Sequence, residues 1–275
     1  MHVQKSNISV GPYNIATLVL NRPEKANAFS GELIAEMQSH LDDLAKDSSC
    51  RAAILTARGK HFSAGADLEW MKQSAQMTLA ENVEDAQKLL YMLQSLSQLP
   101  FPTIALTHGA AYGGAIGLLA ACDVVIAEDH SRFCLSELRL GLLPAMIYPF
   151  LLRKMRRQPL RRLSLSAKVF HASEALSVDL IDEVVTPDQR QHTIQTYLDH
   201  FLACAPQATK DLKDLDEFFT KHAKQTTNFI AQARTRPEGQ HGLQSFFNKE
   251  KAQWAYTLPH EDSPLTAFFS NTFDQ

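Results

Sequence analysis

No uninterrupted apolar run in the 275-residue chain approaches the roughly 20 residues of a membrane helix, so a helical span is excluded. The stretch Met1-His-Val-Gln-Lys-Ser-Asn7 has no apolar core of the kind a secretory signal needs. Cysteine is sparse: Cys50, Cys122, Cys134 and Cys204 lie far apart, form no C-x-x-C, and three of them have apolar neighbours. That usage implies buried free thiols and a reducing, cytoplasmic compartment rather than a disulfide framework. Eleven histidines include no H-x-x-x-H pair, so no metal site is expected. A formal charge of −3 provides no general attraction to nucleic acid or acidic membranes.

Two common enzyme signatures are also missing. His61 stands where the first glycine of a G-x-S-x-G elbow would be, which removes a serine-hydrolase reading. In Gly109-Ala-Ala-Tyr-Gly-Gly114, Ala111 holds the place of the second glycine of G-x-G-x-x-G, which makes dinucleotide binding a poor second. Repeats, low-complexity segments and Gly/Ser linkers are absent too. What remains is an ordinary globular composition, 45% hydrophobic and 21% charged, in a chain long enough to bury a substantial core.

Periodicity organises that chain. Ile15–Leu20, Ala52–Leu55, Thr103–Leu106 and Val124–Ala127 are apolar β-type runs bounded by Gly, Pro or Asp. Between the first two, Leu33, Met37, Leu41 and Leu44 recur at helical spacing from about Gly31 to Lys46, with Ser30 as N-cap. Thr78-Leu-Ala-Glu81 is a capping box opening a helix whose stripe is Val83, Ala86, Leu90, Leu93 and Ser97. A shorter helix is predicted from Gly114 to about Asp123. Strands and helices alternate to about residue 190, the pattern of an α/β fold with largely parallel pairing. Helical patterns then dominate, over Thr193–Leu202, Ala208–Phe229 and Gly239–Trp254. The tail from Pro259 to Gln275 carries Phe268, Phe269 and Phe273 with no legible role.

The chemistry points to two corners. His61-Phe-Ser-Ala-Gly-Ala-Asp-Leu68 and Thr107-His-Gly-Ala-Ala-Tyr-Gly-Gly-Ala-Ile-Gly117 each follow a β-type run with a cluster of small residues and then a helix. Small residues admit a ligand to the backbone, and N–H groups at a helix start are ready anion donors. Two such corners can aim two N–H groups at one oxygen. A tight strand–helix turn with close packing explains the same residues equally well.

Phe62-Ser-Ala-Gly-Ala-Asp-Leu68 with Ala110-Ala-Tyr-Gly-Gly-Ala115 resembles the signature of the crotonase family, the enoyl-CoA hydratases and isomerases. Leu20-Asn-Arg-Pro-Glu-Lys-Ala-Asn-Ala28, Phe133-Cys-Leu-Ser-Glu-Leu-Arg-Leu-Gly-Leu-Leu-Pro144 and Glu238-Gly-Gln with Phe246-Phe-Asn-Lys249 follow in family order, covering about residues 10 to 255. The resemblance implies a crotonase-like α/β spiral of ββα turns over residues 1–190. It also implies a helical region over 191–275 that serves in oligomerisation and contributes to the coenzyme A pocket. A homotrimer is expected, pairing as a hexamer, with helical stripes such as Leu212, Leu215 and Phe219 in need of partners.

By the same resemblance, Ala66 and Gly114 are the oxyanion-hole donors and Glu137 is the acid–base carboxylate. An acyl-CoA thioester would lie along Ala64, Gly65, Asp67, Leu68, Gly113 and Gly117, with Phe246 stacking on adenine and Lys249 on phosphate. Coenzyme A is then part of the substrate, and no cofactor is implied. On residue type alone, Glu137 is a carboxylate in an apolar stretch whose pKa burial would raise. It could as simply be a solvated residue paired with Arg139.

Gly117 is a departure. Hydratases of the family commonly carry a first glutamate three residues after the oxyanion-hole glycine, and Gly117 holds that place. Three readings stay open: hydration of a 2-enoyl-CoA with Glu137 as the only carboxylate, Δ3,Δ2-enoyl-CoA isomerisation by Glu137, and thioester hydrolysis. The third is weakened because Ala145 stands where those hydrolases carry an aspartate. The motifs around Phe62 and Ser136 are most similar to methylglutaconyl-CoA hydratase-like members, whose acyl group ends in a carboxylate that Arg139 could meet. A non-catalytic protein that binds coenzyme A or RNA is the remaining alternative. The cationic run Arg153-Lys-Met-Arg-Arg-Gln-Pro-Leu-Arg-Arg162 lacks interleaved aromatics, so a solvated or salt-bridged helix face is expected of it rather than nucleic-acid binding.

Overall fold

The computed structural model describes residues 1–74, 76–222, 237–256 and 263–273; the side chains of 216–222, 239, 240, 243, 246, 247, 264 and 273 lie outside that description. Its frame is a six-stranded sheet in the order β1-β2-β3-β4-β6-β9. β1 (Val3–Val10) and β2 (Tyr13–Leu20) form an antiparallel hairpin. β3 (Cys50–Ala57), β4 (Thr103–Thr107), β6 (Val124–Glu128) and β9 (Glu183–Val185) then continue from β2 in parallel. Every residue of β3 is buried, as expected of a parallel strand covered on both faces. A second sheet of three short strands holds β5 (Ala110–Tyr112), β7 (Arg132–Cys134) and β8 (Phe170–His171).

Alternation along the strands divides the core in two. Ala53, Leu55 and Ala105 face one side, where they meet Leu33, Met37 and Leu41 of α1 (Gly31–Leu44) and Met92, Leu93 and Leu96 of α3 (Leu79–Ser97). Ile54, Ile104, Leu106 and Ile126 face the other, against Ile194, Leu198 and Leu202 of α8 (Arg190–Ala203). The four strands expected from the sequence lie within β2, β3, β4 and β6. The hairpin strand β1 and the short strands β5, β7, β8 and β9 escaped notice, being too short or too polar to show a period.

The caps form as expected: Ser30 accepts the Leu33 N–H at 3.3 Å, and Thr78 with Glu81 makes the reciprocal box at the start of α3. The stripe of α3 needs correction, however. Its buried residues are Met92, Leu93 and Leu96, while Leu79 and Val83 in the first turns are exposed. Connecting helices are α2 (Leu68–Ser74), α4 (Gly114–Ala121), α5 (Tyr148–Lys154), α6 (Arg157–Ser166) and α7 (Ala172–Ser177). The cationic run is salt-bridged through Lys154–Asp182, Arg156–Asp179 and Arg162–Glu174.

Toward the C-terminus come α9 (Pro206–His222), α10 (Pro237–Asn248) and α11 (Pro264–Phe273). The helix expected to run to Trp254 stops at Asn248. There Lys249 turns to a left-handed φ of 58° and the Glu250 N–H bonds the Ser245 carbonyl at 2.9 Å, a Schellman closure. The expected continuation of α9 over 223–229 lies outside the described residues. The aromatic tail has a role after all: Leu265 and Phe269 of α11 are buried in the same core as Ile8, Val10 and Ile15.

Arg51 fastens the chain after α8 to the sheet. Its buried guanidinium donates to the Trp254 carbonyl at 3.1 Å and the Cys204 carbonyl at 2.6 Å, and lies 4.7 Å from the Tyr13 ring centroid. Tyr13 in turn meets Tyr256 edge-on at 5.4 Å. Arg51→Met keeps the bulk and removes the charged donor, leaving buried carbonyls unpaired. The expected loss is about 2–4 kcal/mol, with proteolysis beginning between residues 204 and 256. An unchanged melting temperature would refute this role.

Candidate active site

The first corner leaves β3, passes Phe62–Asp67 and enters α2. Almost every amide in it is engaged. Phe62 N–H bonds the His108 carbonyl at 3.0 Å, Ser63 N–H the Ala110 carbonyl at 3.0 Å, and Ala64 N–H the Ala26 carbonyl at 2.9 Å. Gly65 N–H reaches Ser63 Oγ at 3.2 Å, and Asp67 N–H the Phe29 carbonyl at 2.8 Å. Ala66 N–H is the exception: no acceptor takes it among the described residues. A parallel bridge between Phe29 and Ala66 explains why, since the bridge uses the Gly65 carbonyl and the Asp67 amide and turns the Ala66 amide outward.

The second corner is tied to the first. Ser63 bridges Ala111 in parallel, and Tyr112 N–H bonds the Ser63 carbonyl at 3.1 Å. Gly65 has a φ of 96°, and a Cβ there would stand 3.0 Å from the Tyr112 carbonyl oxygen, so the corners touch through a position that excludes a side chain. Gly113 N–H is held by the Cys134 carbonyl at 2.9 Å. Gly114 opens α4, and its N–H, the first of the helix, has no intrahelical partner. Gly65 and Gly113 are buried, Gly114 is half-buried, and Ala64, Ala66 and Leu68 are exposed.

Asp67 does not face the same way. Its carboxylate accepts the Glu69 N–H at 2.8 Å and pairs with Arg22 at 3.1 Å. Burial works against its charge, but the amide and the guanidinium outweigh it and hold its pKa below the ordinary aspartate value. Arg22 also donates to the Ala28 carbonyl at 2.9 Å, so this pair clamps the Asn21–Ala28 loop to the corner. Arg22 and Phe29 are positioning groups that sequence reading did not single out. The motif containing Arg22 was visible, but its partner forty-five residues away was not.

Glu137 begins a 3-10 turn, Glu137–Leu140, beyond β7. Its Oε1 lies against Gly113, where an added Cβ would be 3.3 Å from it, and its Oε2 is buried without a hydrogen-bond partner among the described residues. Burial raises its pKa above the ordinary glutamate value, opposed only by its own backbone amide. The pairing with Arg139 does not form: Arg139 is exposed and makes no ion pair among the described residues. A carboxyl group held in apolar surroundings, unpaired and adjacent to a helix start with a free amide, is equipped to move a proton beside a developing oxyanion.

Gly117 lies in the first turn of α4, four residues after the N-cap Gly113. A Cβ there would meet Ile147 Cγ2 at 2.3 Å, Ile147 Cβ at 2.9 Å and Leu93 Cδ1 at 3.4 Å. The place of a second carboxylate is thus filled by hydrocarbon. Lys249 is exposed just beyond α10, and the side chain of Phe246 lies outside the described residues. Among the described residues, no group of three or more His, Cys, Asp or Glu could hold a metal ion, and no helix is long and apolar enough to cross a membrane.

The Gly117 geometry sets two effects against each other. Alanine is favoured over glycine inside a helix by about 1 kcal/mol, whereas forcing a methyl into a packed core costs about 1–3 kcal/mol. With Ile147 Cγ2 only 2.3 Å away, the clash prevails. Gly117→Ala should therefore lower stability in urea titrations by up to about 2 kcal/mol. A gain in stability would show that Ile147 yields freely.

Comparison with known proteins agrees with this architecture. The family model described as enoyl-CoA hydratase/isomerase matches residues 11–257. The crystal structure of an enoyl-CoA hydratase from Shewanella pealeana superposes with a TM-score of 0.87 at 36% identity, covering 92% of this chain and 96% of that one. The short-chain-enoyl-CoA hydratase of Clostridium acetobutylicum is 30% identical over 71% of this chain and 75% of its own. The trans-2-decenoyl-[acyl-carrier-protein] isomerase of Streptococcus mutans is 31% identical over 64% of this chain and 67% of its own. With its sheet, its paired corners and these matches, the chain belongs to the enoyl-CoA hydratase/isomerase family and has the crotonase fold, as a hydratase or isomerase.

Proposed function

We propose that the protein adds water to a 2-enoyl-CoA, with Glu137 as its single acid–base carboxylate and the N–H groups of Ala66 and Gly114 as the oxyanion hole. The observation that carries this is the buried, unpartnered Oε2 of Glu137 beside the start of α4. Ionised Glu137 takes a proton from water as the water oxygen bonds C3. The C2=C3 electron pair moves toward C2 and the thioester oxygen, where the two amides meet the growing charge. Glu137 then delivers its proton to C2, so that one water has been added and the carboxylate is regenerated. Ala64, Gly65, Leu68, Gly113 and Gly117 border the thioester, Asp67 holds the corner through Arg22, and Phe246 and Lys249 meet the nucleotide. A branched or carboxylated acyl group is preferred, and the exposed Arg139 is available to meet a distal carboxylate.

The hydrocarbon packed against Gly117 favours a second reading, Δ3,Δ2-enoyl-CoA isomerisation. In that reaction Glu137 takes the proton from C2 and returns it to C4, with no water to orient. The two are separated by mass: with 2-enoyl, 3-enoyl and 3-methylglutaconyl thioesters, hydration adds the mass of one water and isomerisation adds nothing. Salt-dependent RNA binding without turnover of any of them would replace both readings with a binding protein.

Glu137→Gln should lower kcat by about 10²–10⁴-fold. Its effect on stability has a definite sign. A carboxyl whose pKa is raised by folding favours the fold while protonated, and that contribution is lost as pH rises through the raised value. The amide never ionises, so at pH 8 the variant should be as stable as the wild type or more so. In the wild type, kcat should rise with pH along a limb above the ordinary glutamate range. Unchanged turnover in Glu137→Gln would remove this carboxylate from the mechanism.

We also place the protein in a reducing cytoplasm, consistent with four free thiols, of which Cys50, Cys122 and Cys134 are buried. For its assembly we propose a homotrimer, able to pair into a hexamer, in which residues 191–275 supply contacts between copies. Support comes from Leu212, 66% exposed on α9; Leu215 is half-buried and the Phe219 side chain lies outside the described residues. Light scattering at micromolar concentration should give three or six times the chain mass, and a monodisperse monomer would refute the assembly.

A further inference from the structure

Ile147 is placed where it can decide what the site accepts. It follows Glu137 by ten residues, on the same connection between β7 and α5, and is only 2% exposed. Its side chain enters the space that a residue at 117 would take, with Leu93 closing the other side. Gly113 is the N-cap of α4, and Gly117 lies four residues on, in the first turn of the helix. Gly113 touches the Glu137 carboxylate, and Gly117 touches Ile147. The carboxylate therefore stands at the helix start and Ile147 about one turn, roughly 5 Å, further along it.

We infer that Ile147 is a specificity-determining residue, a plug that ends the acyl pocket one helical turn beyond Glu137 and limits the length of the acyl chain. The inference rests on the reading of Glu137 as the acid–base group at the thioester. Ile147 fills the space beside Gly117 with a β-branched side chain, which is stiff at χ1 and has little freedom to move aside. The plug also explains how a site can do without a second carboxylate. Removing that group while leaving its space empty would open a cavity; here an aliphatic side chain from another element has taken the volume.

Saturated acyl-CoA thioesters test this without requiring turnover. Dissociation constants for butyryl-CoA, isovaleryl-CoA and octanoyl-CoA would be measured by calorimetry on the wild type, Ile147→Val and Ile147→Ala. Discrimination by one methylene in an apolar pocket spans roughly 10–200-fold, so Ile147→Ala should shift the octanoyl-to-butyryl preference toward the longer chain by about tenfold and leave the isovaleryl-to-butyryl ratio, which reports on C3 beside Glu137, unchanged. Ile147→Val, which removes one methylene and keeps the branching, should move the octanoyl preference part of the way and preserve the fold if the alanine variant does not. The same octanoyl-to-butyryl ratio in the wild type and a folded variant would overturn the inference and leave the role of Glu137 standing. Failure of the wild type to bind any of the three would overturn both. As an independent arm, Gly117→Ala should be destabilised alone and relieved when combined with Ile147→Ala; purely additive effects would show that the two positions do not share the space.

Discussion

The site depends on one constraint: two adjacent corners must satisfy nearly every backbone amide and leave one in each unsatisfied. The parallel bridges Phe29–Ala66 and Ser63–Ala111 impose it. Each bridge engages the groups on either side of a residue and turns that residue's own amide away. The first presents Ala66, and the second fixes how far the Gly114 end of the neighbouring corner can stand from it. Ala66 is exposed and Gly114 half-buried, so their amides stay unpaired without the cost of a buried orphan donor and remain open to a ligand. Rigidity here is a consequence of hydrogen-bond arithmetic.

Electrostatics in the site follows from how each acid is placed. Asp67 lies in the first corner and Glu137 on the turn beyond β7 that meets the second, and burial pushes the pKa of both upward. Asp67 has a guanidinium and an amide that reverse the shift, so it stays charged and structural. Glu137 has no side-chain partner among the described residues, so the upward push of burial stands and its pKa is raised above the ordinary glutamate value. The two carboxylates differ in what stands beside them, Arg22 at one and Gly113 at the other.

Much of this was legible in the sequence, and the limits have physical causes. The long elements were readable because α1, α3 and the central strands carry many residues at one period. Strands of two or three residues, such as β5, β7 and β8, hold no period, yet β5 carries the bridge that joins the corners. The left-handed stop at Lys249 was invisible, because lysine carries no local signal for positive φ. Glu137 was found through a family motif; its apolar neighbours in sequence suggested burial, but only folding brings Gly113 against it. Ile147 could not be recognised, since nothing local links an isoleucine to a glycine thirty residues earlier.

The two glycines on α4 illustrate why a departure in a motif must be read in three dimensions. Taken alone, Gly117 is a missing acid and suggests a site with extra room. In the fold it is the reverse: the space a side chain at 117 would take is occupied by Ile147. Gly113 is small for a different reason: it must turn at a φ of 53° and admit a carboxylate against its backbone. The N-cap and first turn of α4 thus receive two side chains that arrive from the same connection, one polar and one apolar, and each fits because a glycine stands opposite it.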